Sequence, residues 1–149
     1  MSGQTITVYV VYPRYPDNTE PLGAFVDSEE KAREIDQWLR GLSGDMMGTW
    51  EEFEVKVTSP TQILFGVFTG TPSLRIDDPD FQDPICYGVF VKRSEAEIAA
   101  HPETRWEKDN CPAKFVLPFR LGWKNKLYFP DGASWPPDAG GLAMLLGSV

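Results

Sequence analysis

Alternating apolar and polar positions mark out a run of short strands and two helices. Residues 5–12 set Ile6, Val8, Val10 and Tyr12 on one face and Thr7, Tyr9 and Val11 on the other. Both faces are largely apolar, which predicts a central strand. Pro13, Pro16 and Pro21 with Asp17-Asn18 predict a loop over 13–21, and residues 22–26 return as a short strand. Ala32, Ile35, Trp38, Leu39 and Leu42 then fall at helical spacing and predict one buried stripe. Asp27 with Glu30 makes a box-like start, Ser28 is an alternative cap, and Gly41 and Gly44 end the helix. Alternation returns at 50–57. Glu51, Phe53, Val55 and Val57 face one way; Trp50, Glu52, Glu54 and Lys56 face the other, as an acidic strip ending in an indole.

The same order recurs further on. Residues 63–69 and 85–91 read as strands, separated by a loop over 70–84. Ser94 with Glu97 predicts a capping box for a short helix through Ala100, stopped by Pro102. Residues 114–117 read as a closing strand. Gly23-Ala24-Phe25-Val26 aligns with Gly88-Val89-Phe90-Val91 at an offset of 88 − 23 = 65 residues. Gly66-Val67-Phe68 gives a third match. The expectation is an α+β fold of two related ββαβ-like units with mainly antiparallel sheet, at 5–58 and 62–121, in a single domain. An irregular Pro/Gly-rich extension, 122–149, follows, with a strand at 127–129 entering a turn, a surface-wrapping stretch at 134–141 and a docked turn at 142–146. The predicted core includes Val8, Val10, Phe25, Ile35, Leu39, Phe53, Val55, Phe65, Val89 and Phe90. The duplication requires Phe25 and Phe90 to share one environment; unrelated environments for the two would sink it.

The segment Gly23-Ala-Phe-Val-Asp-Ser-Glu-Glu-Lys-Ala32, followed by an amphipathic helix and the strand Glu51-Glu-Phe-Glu-Val55, resembles a small module of uncharacterised bacterial and phage proteins. It covers about a third of the chain. The resemblance implies a strand, a cap and a helix; it carries no assigned activity and no functional residue.

The chain has 149 residues and a formal charge of −8, unevenly spread. Residues 1–60 hold 11 acids and 5 bases, a net of −6. Residues 61–110 hold 9 and 5, a net of −4, and residues 111–149 hold 2 and 4, a net of +2. Such a surface repels nucleic acid and anionic membrane and attracts a basic partner. No signal peptide or membrane-spanning run is expected, which places the chain in the cytosol of the producing cell or of an infected host, with Cys86 and Cys111 reduced.

Catalytic and cofactor patterns are sparse. His101 is the single histidine and sits at a helix end, where its charge would serve the helix dipole. Cys86 lies mid-strand, as a core residue does. No C-x-x-C, nucleophile elbow or phosphate-binding glycine loop occurs, so no cofactor and no metal is expected. Asp77, Asp78, Asp80 and Asp83 crowd one loop, yet they lack the spacing of a calcium hand and read as a hydrated turn. The functional expectation is a small acidic binding protein, of inhibitor, immunity or phage anti-defence type, acting on a basic protein or nucleoprotein. Its candidate binding residues are Glu29, Glu30, Glu34, Trp50, Glu52 and Glu54, with the four loop aspartates. Two alternatives stand beside it: a small-ligand or enzymatic domain with a cleft between the halves, and a structural assembly component.

Overall fold

The computed structural model describes residues 3–15, 18–19, 21–59, 62–70, 79, 84–110, 114–126 and 128–132. The first unit is built on β1 (Gln4–Tyr15). Its long partner is β4 (Met47–Val57), antiparallel from Gln4↔Val57 to Arg14↔Met47. On the opposite edge β1 pairs with β2 (Asn18–Thr19) and with β3 (Ala24–Val26). Helix α1 (Glu29–Leu42) connects β3 to β4. The second unit repeats this plan. Its central strand β5 (Leu64–Thr69) is flanked by β6 (Ile85–Phe90) and β7 (Phe115–Phe119), both antiparallel. Helices α2 (Arg93–Ala100) and α3 (Arg105–Asn110) make the connection between them. The expected α+β fold of two ββαβ units is therefore the observed one.

The two sheets pack face to face, with a helix on each outer surface. Val8, Val10, Phe25 and Val55 of the first sheet meet Leu64, Phe68, Val89 and Phe119 of the second. Phe25 is fully buried there, stacked on Phe119 at 3.9 Å and edge-on to Phe68 at 6.0 Å. Ala32, Ile35 and Leu39 seal α1 against Val11, Ala24 and Val26. Phe65 and Val67 meet Ala96 of α2.

Topology repeats, but the residue correspondence at offset 65 does not, and the duplicated sequence unit fails with it. Phe25 faces the other sheet, whereas Phe90 packs beneath α2 with Phe65. A shift of one position turns a strand side chain to the opposite face, and the matched phenylalanines stand on opposite faces of their sheets. The Gly-x-Phe motif has a local cause instead. A β-carbon at Gly66 would lie 2.4 Å from the Phe68 ring, and one at Gly88 2.9 Å from the Phe90 ring. Each glycine leaves room for the ring two positions on, along the same face of its strand. Gly23 serves a different contact: its β-carbon would meet the Pro13 ring at 2.8 Å.

Other differences from expectation are equally local. The predicted loop at 13–21 begins too early, because β1 continues through Pro13 to Tyr15 and its end pairs with β2. Pro13 is tolerated there because the β3 pairing ends at Val11. Strand β4 starts at Met47, before Trp50, and β7 runs on past Leu117 to Phe119. Ser28, not Asp27, caps α1: its hydroxyl accepts from the Lys31 N–H at 3.2 Å, while Asp27 pairs with the Lys31 ammonium. Gly41 stays inside the last turn, and Ser43 is the C-cap. Trp38 and Leu42 lie outside the buried stripe, 45% and 51% exposed. Helix α2 starts two residues earlier than a Ser94 cap would set, with Lys92 at its N-cap and no side-chain cap bond. Glu97 bonds Arg93 instead of closing a box.

The expected irregular extension departs most from its reading. Residues 122–125 run along the outer edge of β3 as a strap. Phe25 donates to the Trp123 carbonyl at 3.0 Å and accepts from Gly122 at 2.7 Å; Asn125 donates to Gly23 at 2.7 Å. Asn125, itself buried, also gives its side-chain amide to the Leu22 carbonyl. Tyr128 and Phe129 form a turn, not a strand, and Phe129 stacks on Trp38. The wrapping stretch at 134–141 and the turn at 142–146 fall outside the described residues.

Candidate functional site

Helix and sheet divide the predicted acidic residues into distinct groups. On β4 the alternation reads as expected: Val55 and Val57 are buried between the sheets, and Glu52, Glu54 and Lys56 are exposed on the other side. Trp50 shares that outer side and packs half-buried beside Tyr9 and Tyr15 against the α1 core. The indole is thus a fixed wall at one end of the strip, not a free anchor. Register places Tyr9 opposite Glu52 and Thr7 opposite Glu54.

On α1 the three glutamates diverge. Glu29 reaches the strip, because it and Glu52 both hold the Tyr9 phenol above its ordinary value, after the larger effect of burial. Its carboxylate is already engaged by Arg33 at 3.2 Å. Glu34 lies on the opposite flank and lines a cavity of about 700 Å³ between α1 and the strap, with Lys31, Trp38, Trp123, Lys124 and Phe129. Glu30, exposed, points away from the buried stripe. Two acids of α1 carry helical partners, Arg33 on Glu29 and Arg40 on Asp36. Glu52 and Glu54 form no ion pair among the described residues. The structure therefore brings together Glu29, Glu52, Glu54 and Trp50, and separates Glu30 and Glu34 from them. Asp77, Asp78, Asp80 and Asp83 lie outside the described residues.

Two features of this face were not anticipated. Tyr9 contributes a half-buried ring between the two acidic elements; its place on the outer face followed from alternation, but its partner Glu52 needed the register. Asp36 closes one end of the strip. It accepts from the Gly48 N–H at 2.7 Å and from Arg40 at 3.0 Å, pinning α1 to the start of β4. A β-carbon at Gly48 would lie 3.1 Å from the Asp36 backbone, so the close approach depends on glycine.

Nucleophilic chemistry finds no support at the positions the sequence offers. Cys86 is buried, and burial pushes its thiol up to about 12, opposite to the direction a nucleophile needs. Its backbone N–H donates to the Tyr12 hydroxyl at 3.0 Å, joining the two units. Tyr12 is itself held far above its ordinary value, first by burial and then by Cys86 and Glu51. His101 is exposed beyond α2, its Nδ1 2.9 Å from the Pro102 carbonyl oxygen. Among the described residues, no three His, Cys, Asp or Glu side chains gather as a metal site, and no helix is long and apolar enough to cross a membrane. No protein-family model, curated protein or solved structure matches the chain.

Proposed function

We propose that this protein acts by stoichiometric binding to a basic protein or nucleoprotein, in the manner of an inhibitor, immunity or anti-defence factor. The observation that carries this reading is the contrast between its acids. Asp27, Glu29 and Asp36 on or beside α1 are neutralised by bases four residues on. Glu52 and Glu54 stand two positions apart on one strand, exposed and without such partners among the described residues. Unpaired carboxylates at fixed spacing are where an incoming cation gains most, and the net charge of −6 over residues 1–60 steers it there. The cytosol, of the producing cell or of an infected host, is the compartment this reading assigns.

The test is charge reversal. Glu52→Lys with Glu54→Lys should weaken binding to a basic partner by about tenfold or more at low ionic strength and flatten its salt dependence. Circular dichroism should be unchanged, since both side chains are exposed. Binding that survives the double reversal at low salt overturns the proposal.

A second reading rests on the cavity beneath the strap. Its walls combine Trp38, Trp123 and Phe129 with Lys31, Lys124 and Glu34, an apolar enclosure with a few charged groups. A thermal-shift screen of small aromatic acids tests it: a rise in melting temperature lost in Trp38→Ala supports ligand binding there.

A further inference from the structure

The acidic strip is also an open sheet edge, and its backbone has a defined phase. The Val11 carbonyl accepts from Gly23, on the β3 side of β1. In an antiparallel ladder the N–H and C=O of one residue point the same way, and successive residues alternate. Val11 therefore turns away from β4, and its register partner Trp50 turns away from β1. Phe25 gives the same phase from the other side. Both its backbone groups go to the strap, so its partner Val10 bonds toward Glu51. Trp50, Glu52, Glu54 and Lys56 thus direct their N–H and C=O groups out of the sheet. Gly48 shares that phase, and its outward N–H is taken by Asp36. Among the described residues, β1 is the only strand paired with β4.

We propose that the free edge of β4 from Trp50 to Lys56 accepts an extended basic segment of the partner as an added antiparallel strand, with Lys or Arg at every second position. This rests on the acidic-face reading above and names its geometry. The residues that offer free backbone groups are the same residues that carry the unpaired carboxylates. In an antiparallel pair, residues that exchange both hydrogen bonds have side chains on one face, about 5.5 Å apart at Cα. A partner residue bonded to the backbone of Glu52 thus sets its side chain beside the Glu52 carboxylate, and the next such residue meets Glu54. Main-chain bonds supply affinity and alternate side chains supply specificity, as in strand addition generally. The Tyr9 ring flanks Glu52 and offers an apolar surface to a lysine stem. Asp36 fixes where the added strand must stop. For a second copy of the chain, antiparallel pairing centred on residue 53 sets Glu52 against Glu54 twice, and pairing centred on residue 54 still sets Glu54 against itself beside two Glu52–Lys56 pairs, whereas a basic segment meets both glutamates with opposite charge.

The experiment uses the whole protein and an alternating Lys-Thr heptapeptide with blocked ends, titrated by fluorescence or calorimetry. Three forms are compared: unmethylated, N-methylated at the lysine amides, and N-methylated at the threonine amides. All carry the same charge. Strand addition predicts that lysine methylation lowers affinity by about tenfold or more, because those amides face β4, while threonine methylation costs little. Lys56→Pro keeps both glutamates and makes the protein more acidic, yet it removes an outward N–H and obstructs the edge; it should weaken the unmethylated peptide. Hydrogen exchange at Glu52, Glu54 and Lys56 should slow on binding. Equal binding of all three peptides, weakened by the double charge reversal, overturns strand addition and leaves the acidic-face reading standing. No binding by any form overturns both. A dimer in sedimentation that Lys56→Pro dissolves would make a second copy the occupant and overturn the basic-segment proposal.

Discussion

The first and second units share strand order, direction and connection, yet they are secured differently. In the first, α1 spans 14 residues, is capped by Ser28 and buries Ala32, Ile35 and Leu39. The outer edge of its β3 is covered by the strap. In the second, α2 spans 8 residues, has no side-chain cap bond and buries Ala96. Ile98 on α2 and Trp106 on α3 are 76% and 68% exposed. One topology thus accommodates a well-sealed unit and a sparsely sealed one. Chain path is set by strand pairing and connection length, whereas stability is set by how much of each outer face is covered.

The sharpest way to break this comparison is to truncate the two phenylalanines that the sequence aligned. Phe25 contacts the rings of Phe68, Phe119 and Trp123 between the sheets. Phe25→Ala should cost about 3–5 kcal/mol, read as a fall in the urea midpoint. Phe90 is half-buried under a short helix, and Phe90→Ala should cost about half as much. Equal losses would mean that the two positions are energetically equivalent after all.

Alkaline pH probes the junction between the units. Cys86 is held neutral by burial, with its thiol at about 12 against 9.0 in the unfolded chain. Below pH 9 both states keep the proton, and the contribution to stability is complete. Between about pH 9 and 12 the unfolded chain sheds the Cys86 proton and the folded chain retains it. Stability then falls by about 1.4 kcal/mol per pH unit for this group. Tyr12, raised above its ordinary 10.0, steepens the fall beyond pH 10. Urea midpoints from pH 8 to 11 should show the slope, and Cys86→Ala should reduce it between pH 9 and 10. An unchanged slope in that variant would remove the thiol from the junction's energetics.

Helix caps give the smallest effects. Ser28→Ala should destabilise by about 1 kcal/mol, whereas Lys92→Ser should stabilise slightly, by a few tenths, because α2 lacks a capping oxygen. A cost at both positions would show that Lys92 already serves α2 by another contact.

Much of this contrast was legible in short-range pattern. Alternation placed Val8, Val10, Val55, Glu52 and Glu54 on their correct faces, because strand period depends only on neighbours. Helical spacing found Ala32, Ile35 and Leu39 but included Trp38, whose indole donates to the Tyr128 carbonyl 90 residues away. Nothing near Trp38 in sequence encodes that partner. Residues 122–125 read as irregular for the same reason: their hydrogen bonds to Gly23, Leu22 and Phe25 reach far back in the chain. The Gly-x-Phe match misled because like residues serve unlike contacts: Gly66 and Gly88 leave room for the ring two positions on, whereas Gly23 clears the Pro13 ring. Of the candidate site, residue types and facing were readable. The phase of the free backbone was not, since it depends on which edge of β1 each neighbour occupies.

The strap has a consequence for biosynthesis. A ribosome releases the first unit's strands and helix long before residues 122–125, so a nascent chain of about a hundred residues holds β3 with its outer edge bare. Phe25, whose backbone waits for Gly122 and Trp123 and whose ring waits for Phe119, is among the last core positions to be completed. Residues through Asn125 must therefore emerge before the first unit attains its final form, and the interval before closure is the period when a chaperone or a neighbouring nascent strand competes for that edge.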